Sequence, residues 1–178
     1  VDTLLNNYRK ASMQIYYNQN IMDFLVSNSL SRADGGQNLP IIDEILESIV
    51  NADKYLMSAV LQSGNNLVIH GTKILNISEY IDANCEGCYI VPGQIHWIPS
   101  QEMYNVFGLD SFYFGVMRLI RHNDREVGKL LFLVRSEFFD DIYAGAIPEN
   151  SGNDLILAPD GIIVSSRTES LIGTKIED

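Results

Sequence analysis

The chain has 178 residues, 46% apolar and 20% charged, which is enough for one ordinary domain and part of a second and is the composition of a packed globule, not of a disordered tail. Its 12 basic and 23 acidic side chains leave a formal charge of −11, and the few Lys and Arg are scattered singly, which argues against nucleic acid as a partner and against an anionic lipid surface. Apolar stretches such as Leu130 to Val134 fall far short of the ~20 residues that cross a bilayer, there is no apolar signal-peptide region, and Val1 in place of a start Met points to a piece cut from a longer protein.

From Leu4, the apolar residues Leu4, Tyr8, Ala11, Ile15, Met22 and Leu25 keep a spacing of three and four, which predicts a long helix with one buried stripe. Asn18 breaks the stripe. Asn20 followed by Asp23 resembles an N-cap with an acidic residue three positions on, so a pause at Asn18 to Asn20 is expected. The stripe reads as core packing or, more sharply, as a homodimer seam in which Asn18 would fix register. Ser31 to Asn38 reads as a loop. Pro40 then opens a second helix whose inner side carries Ile42, Ile45, Leu46 and Ile49.

Beyond Asp53 the period shortens. Tyr55 to Leu61 and Leu67 to His70 are strand-like runs joined by the turn chemistry of Ser63-Gly64-Asn65-Asn66. The middle segment from Gly71 to Asp110 has room for a short helix near Ile77 to Ile81 and contains Cys85, Cys88, Trp97 and Pro99; connections this long are usually functional. Phe112 to Ile120 and Val127 to Val134 follow as an antiparallel hairpin across His122-Asn123-Asp124-Arg125. Ser136 is placed to cap a short helix through Phe139 to Tyr143. The last pattern is a hairpin, Leu155 to Ala158 and Ile162 to Ser165, around Pro159-Asp160-Gly161.

Three stretches carry a resemblance: Gly128-Lys129-Leu130-Leu131-Phe132-Leu133-Val134; Phe138-Phe139-Asp140-Asp141-Ile142-Tyr143; and Leu155 through Ser166 with Leu171-Ile172-Gly173-Thr174. They resemble the extracellular double Cache (PAS-like, PDC-type) sensors of bacterial receptor histidine kinases. The N-terminal Tyr16-Tyr17-Asn18 and Ile21-Met22-Asp23-Phe24-Leu25 are similar to the membrane-proximal start of the YesM-like group. The resemblance implies an α+β fold, a PAS-like antiparallel sheet with the long N-terminal helix and the second helix packed on one face. It implies a membrane-distal module over residues 1–136, and in residues 137–178 a linker helix and the start of a truncated or reduced proximal module. It further implies flanking transmembrane helices, an extracellular position on the cell membrane, a full-length histidine kinase, and a small-molecule pocket between the sheet and the long insert. In the amino-acid-binding members an Arg two residues before a Trp and an Asp near the last distal strand hold the ligand. Here Ile95 and Leu133 fall at those positions, which favours a sugar or other weakly charged metabolite over an amino acid.

Taken residue by residue, Trp97, Tyr80, Tyr89, Tyr104 and Tyr113 lie in or beside the insert, with His96 next to the tryptophan; they are either walls of a solute site or ordinary core. Arg118, in an otherwise apolar strand, is either a clamp for a ligand anion or the mate of an acidic group such as Asp110. Cys85-Glu86-Gly87-Cys88 fits a short-loop disulfide or two structural thiols, a redox sensor or a metal site; a metal is the weakest of these, because His70, His96 and His122 are dispersed. No catalytic triad, carboxylate pair or phosphate loop stands out, so no catalytic residue and no cofactor are expected. The rivals to a solute sensor of a kinase are the sensor region of a chemoreceptor, a docking module for a protein such as a solute-binding protein, and an exported redox protein.

Overall fold

A computed structural model of the chain describes residues 2–29, 39–71, 95–98, 113–146, 155–157, 161, 163–166, 168–172 and 174–176. In order these form α1 (Asp2–Tyr17), α2 (Gln19–Ser29), α3 (Leu39–Asn51), β1 (Leu56–Ser63), β2 (Asn66–Gly71), β3 (His96–Ile98), β4 (Tyr113–His122), β5 (Arg125–Arg135), α4 (Glu137–Ala146), β6 (Leu155–Leu157), β7 (Ile163–Ser166) and a 3-10 turn, Glu169–Leu171. Strands β1 to β5 make one antiparallel sheet in the order β2-β1-β5-β4-β3, and β6 pairs with β7 in a second. The α+β architecture expected from the sequence is the one the chain adopts. The expected helix near Ile77 lies outside the described residues.

The N-terminal stripe buries Tyr8 and Ile15, then breaks. Asn18 is the reason. Its side-chain Oδ1 accepts the Ile21 amide at 3.3 Å and its carbonyl accepts the Met22 amide at 3.0 Å, so Asn18, and not Asn20, caps α2. Restarting one residue out of phase, α2 buries Ile21, Phe24 and Leu25 fully, while Met22 is only partly covered. In α3, Ile42 and Leu46 are buried as expected, and Ile45 and Ile49 pack at the edge of the same core.

Both hairpins of the main sheet turn where their residues predicted. Asn123 and Asp124 connect β4 to β5 with φ of 49° and 62°, the left-handed pair that a two-residue turn between twisted strands requires. In the turn between β1 and β2, Gly64 takes φ 53°. Ser136 departs from expectation: its carbonyl accepts the Phe139 amide at 2.8 Å, but its buried hydroxyl has no partner among the described residues, so it does not cap α4 through its side chain. The helix is held instead by Phe138, Phe139 and Ile142 in the common core. Tyr55 and Lys54 also reach it from outside, both bonding the exposed Asp141 carboxylate and holding its pKa below the usual range.

One close approach sets how tightly the helices sit on the sheet. A β-carbon on Gly128 would lie 2.6 Å from a Leu25 methyl and 2.8 Å from the Gln62 carbonyl oxygen. The second neighbour is backbone and cannot swing aside. Gly128→Ala is therefore expected to destabilise by about 1–3 kcal/mol, the usual range for overpacking. It should appear as a lower urea midpoint at unchanged m-value; a loss under about 0.5 kcal/mol would mean that α2 and β1 stand further from β5 than described.

Candidate functional site

Strand alternation divides the main sheet into two faces. Ala59, Leu61, Phe114, Val116, Ile120, Leu130, Phe132 and Val134 share one core with residues of all four described helices. Their neighbours in sequence point the other way. On that second face the register aligns Val60, Leu131, Met117 and His96 in one row across the sheet, and Ser58, Leu133, Gly115 and Ile98 in the next. Val60, Ser58, Leu131, Leu133, Met117 and Ile98 are each at most 1% exposed. The face is thus buried although no described helix contributes to its rows. A sheet buried on both sides explains the unbroken apolar run from Leu130 to Val134, where a half-exposed strand would alternate.

Gly115 shapes this second face. A β-carbon there would lie 3.0 Å from Cβ and from Cδ1 of Ile98, so the bare glycine lets the short edge strand β3 lay Ile98 over β4. The Ser58 hydroxyl donates to the His70 carbonyl at 2.9 Å, leaving that row without an unsatisfied donor at Ser58. Neither row contains a carboxylate, a guanidinium or an ammonium group. Among the described residues no three His, Cys, Asp or Glu side chains gather as a metal site.

The residues singled out by sequence fall in three places. His96 and, at the end of its strand, Tyr113 belong to the second face, His96 half-buried and Tyr113 6% exposed. Trp97 does not: it pairs with Val116, stacks on Phe114 at 5.7 Å between ring centroids and is 6% exposed inside the helix-side core. Of the two readings open for Trp97, a wall of a solute site on the insert side or ordinary core, its position is that of core, because one step along β3 reverses a side chain. Ile95 packs on the helix-side core as well, which removes the footing from its equation with a ligand-holding Arg. Leu133 does point to the second face. Tyr80, Tyr89, Tyr104, Cys85, Cys88 and Asp110 lie outside the described residues.

Arg118 is on the helix side, following Phe114 and Val116 in the same alternation. It is 2% exposed, its Nη1 donates to the Met13 sulfur at 3.1 Å, and among the described residues neither Nε nor Nη2 has a partner. Burial, and next the charge of Arg9, push its pKa down. It therefore cannot clamp a ligand held on the second face.

No protein-family profile matches the chain, and no curated protein matches its sequence. Its fold is similar to solved sensor domains. It superposes on the extracellular domain of the candidate histidine kinase vpHK1S-Z8 with TM-score 0.57 and 15% identity, over 96% of this chain and 66% of that one. The sensory domain of the Campylobacter jejuni chemoreceptor Tlp3 (CcmL), solved with isoleucine bound, gives TM-score 0.52 and 14% identity over 99% of this chain and 76% of that one. The ligand-binding domain of the Pseudomonas fluorescens chemoreceptor CtaA, in complex with L-alanine, gives 0.54 and 10% over 98% and 72%. At these identities the likeness is one of fold. No described helix is long and apolar enough to cross a membrane.

Proposed function

We propose that this chain is the extracytoplasmic ligand-sensing domain of a transmembrane two-component sensor histidine kinase, and that it binds a small solute on the second face of its main sheet. The observation that carries this reading is the buried second face: two aligned rows of side chains, opposite every described helix, in a fold shared with sensor domains that hold small molecules. A pocket of mostly apolar lining with a few polar groups is the usual small-molecule site. Here His96 and Tyr113 supply the polar groups. The ligand acts by binding one arrangement of sheet and helices better than another, since only differential affinity shifts a conformational equilibrium. Residues 137–178 serve in this reading as linker helix and start of a second module.

Two of the similar structures hold an amino acid, isoleucine in one and L-alanine in the other. The proposed ligand here is a sugar or other weakly charged metabolite, because the two buried rows offer no countercharge to an ammonium or a carboxylate, Arg135 beside Tyr113 being exposed at the strand end, and an unpaired buried ion costs several kcal/mol. A second reading, the sensor region of a chemoreceptor, is favoured by those same two neighbours; the coding sequence beyond residue 178 decides between kinase and chemoreceptor output.

Sugars, organic acids and amino acids in a thermal-shift panel provide the test. One class of weakly charged compound is expected to raise Tm with the logarithm of its concentration, reaching about 2.7 kcal/mol of stabilisation at a hundredfold excess over Kd. The shift should shrink in Gly115→Ala, which moves Ile98, and persist in Arg118→Met, on the opposite face. A response to standard amino acids alone would overturn the ligand class, and a flat panel would favour a protein-docking module.

A further inference from the structure

The helix side of the sheet holds a cation that solute sensing does not use. Arg118 is only 2% exposed, and Nε and Nη2 lack partners among the described residues. Among the described residues its hydrogen bond goes to the Met13 thioether at 3.1 Å, a weak acceptor for a guanidinium. Met13 in turn lines a groove of about 480 Å³ along α1, together with Asn6, Arg9, Lys10, Gln14 and Tyr17. The spacing of these six residues is that of one helical stripe. Two of them are cations and none is acidic, in a chain whose formal charge is −11.

Arg118 lies behind Met13 and not in the groove lining, so a groove edged by Arg9 and Lys10 has a buried, under-satisfied guanidinium one side chain away, a combination suited to negative charge. Arginine presents donors in a planar fork that matches the oxygens of carboxylate and phosphate, and such charge-assisted bonds are the strong ones. Methionine is unbranched and flexible, so rotation of Met13 uncovers Nη1 without moving the helix. We propose that Arg118, Arg9 and Lys10 form a binding site for a compact oxyanion, carboxylate or phosphate, with the Met13 side chain as its movable cover. The site lies on the face opposite the proposed solute pocket, so it stands whether or not that pocket binds a sugar.

Titration of this chain with inorganic phosphate and with acetate, each against sodium chloride at matched ionic strength, tests the site through Tm. Phosphate is expected to give a rise that chloride does not reproduce, setting in at low millimolar concentration and growing with the logarithm of concentration beyond it. Acetate acting equally supports a general oxyanion site, and acetate without effect supports one selective for phosphate. The rise should vanish in Arg118→Met and fall severalfold in Arg9→Gln. Arg9 is exposed, so its variant folds whatever Arg118 contributes to stability. An identical rise with chloride, or a phosphate rise undiminished in either variant, would overturn the proposal.

Discussion

Phe114→Ala is expected to remove about 3–5 kcal/mol of stability, the range for truncating a buried phenylalanine. Phe114 is fully buried, and its ring meets four others: Trp97 at 5.7 Å, Tyr8 at 6.3 Å, Phe138 at 5.8 Å and Phe139 at 4.5 Å between centroids. Those four come from β3, α1 and α4, so one ring ties the edge strand, the first helix and the last helix to the centre of the sheet. Aromatic pairs add roughly 0.5–1.5 kcal/mol each beyond area burial, and a cavity among rigid rings cannot collapse. The loss is expected near the upper end. For a chain of this size it corresponds to roughly 6–20 °C in Tm. Phe114→Leu, which keeps most of the volume, should cost less than half as much. A loss below about 1 kcal/mol on Phe114→Ala, read from urea denaturation, would show that the cluster is not the hub described.

Much of the fold is legible in the sequence, because it rests on local chemistry. The spacing of Ile42, Ile45, Leu46 and Ile49 specifies α3 and its inner face. The Asn-Asp and Gly-Asn turns specify the two hairpins, since few residues tolerate the positive φ that these turns demand. The α2 cap is half legible: Asn18 and Asn20 are equally good capping residues by type, and only the helix phase selects Asn18.

The faces of the sheet are another matter. Phe114, Val116, Arg118 and Ile120 lie on one face by alternation alone, but β4 is apolar on both sides, with Met117 and Leu119 between them. Which side meets the helices depends on long-range packing, and pattern alone cannot supply it. Trp97 stays open between core and site in the sequence for the same reason: its face is fixed by pairing with Val116, about twenty residues away across the insert. A usable signal for the second face does exist. The run Leu130-Leu131-Phe132-Leu133-Val134 is too uniformly apolar for a strand with one wet side, and Gly115 inside a strand marks a close approach. Together they point to a covered face at the crossing of β4 and β5.

Arg118→Met is expected to raise stability by about 1–4 kcal/mol in a low-salt buffer without oxyanions. Replacing buried ionic groups by apolar residues of similar volume is often neutral or stabilising by that amount, because the cost of desolvating the charge disappears. At this position the cost is poorly offset: among the described residues the hydrogen bond is to sulfur, and burial and Arg9 both disfavour the charge. Methionine can fill the same channel beside Met13. Arg118→Ala should behave differently, since it removes the charge but leaves a void under α1, and the two effects oppose each other. Chemical denaturation of the three proteins side by side makes the comparison. Met above wild type above or near Ala is the expected order. If Arg118→Met instead loses more than about 1 kcal/mol, the guanidinium is satisfied within the folded chain, and its burial is structural. If the gain appears, the chain carries an arginine that its own fold does not repay, and a bound anion is the compensation that keeps the residue in place.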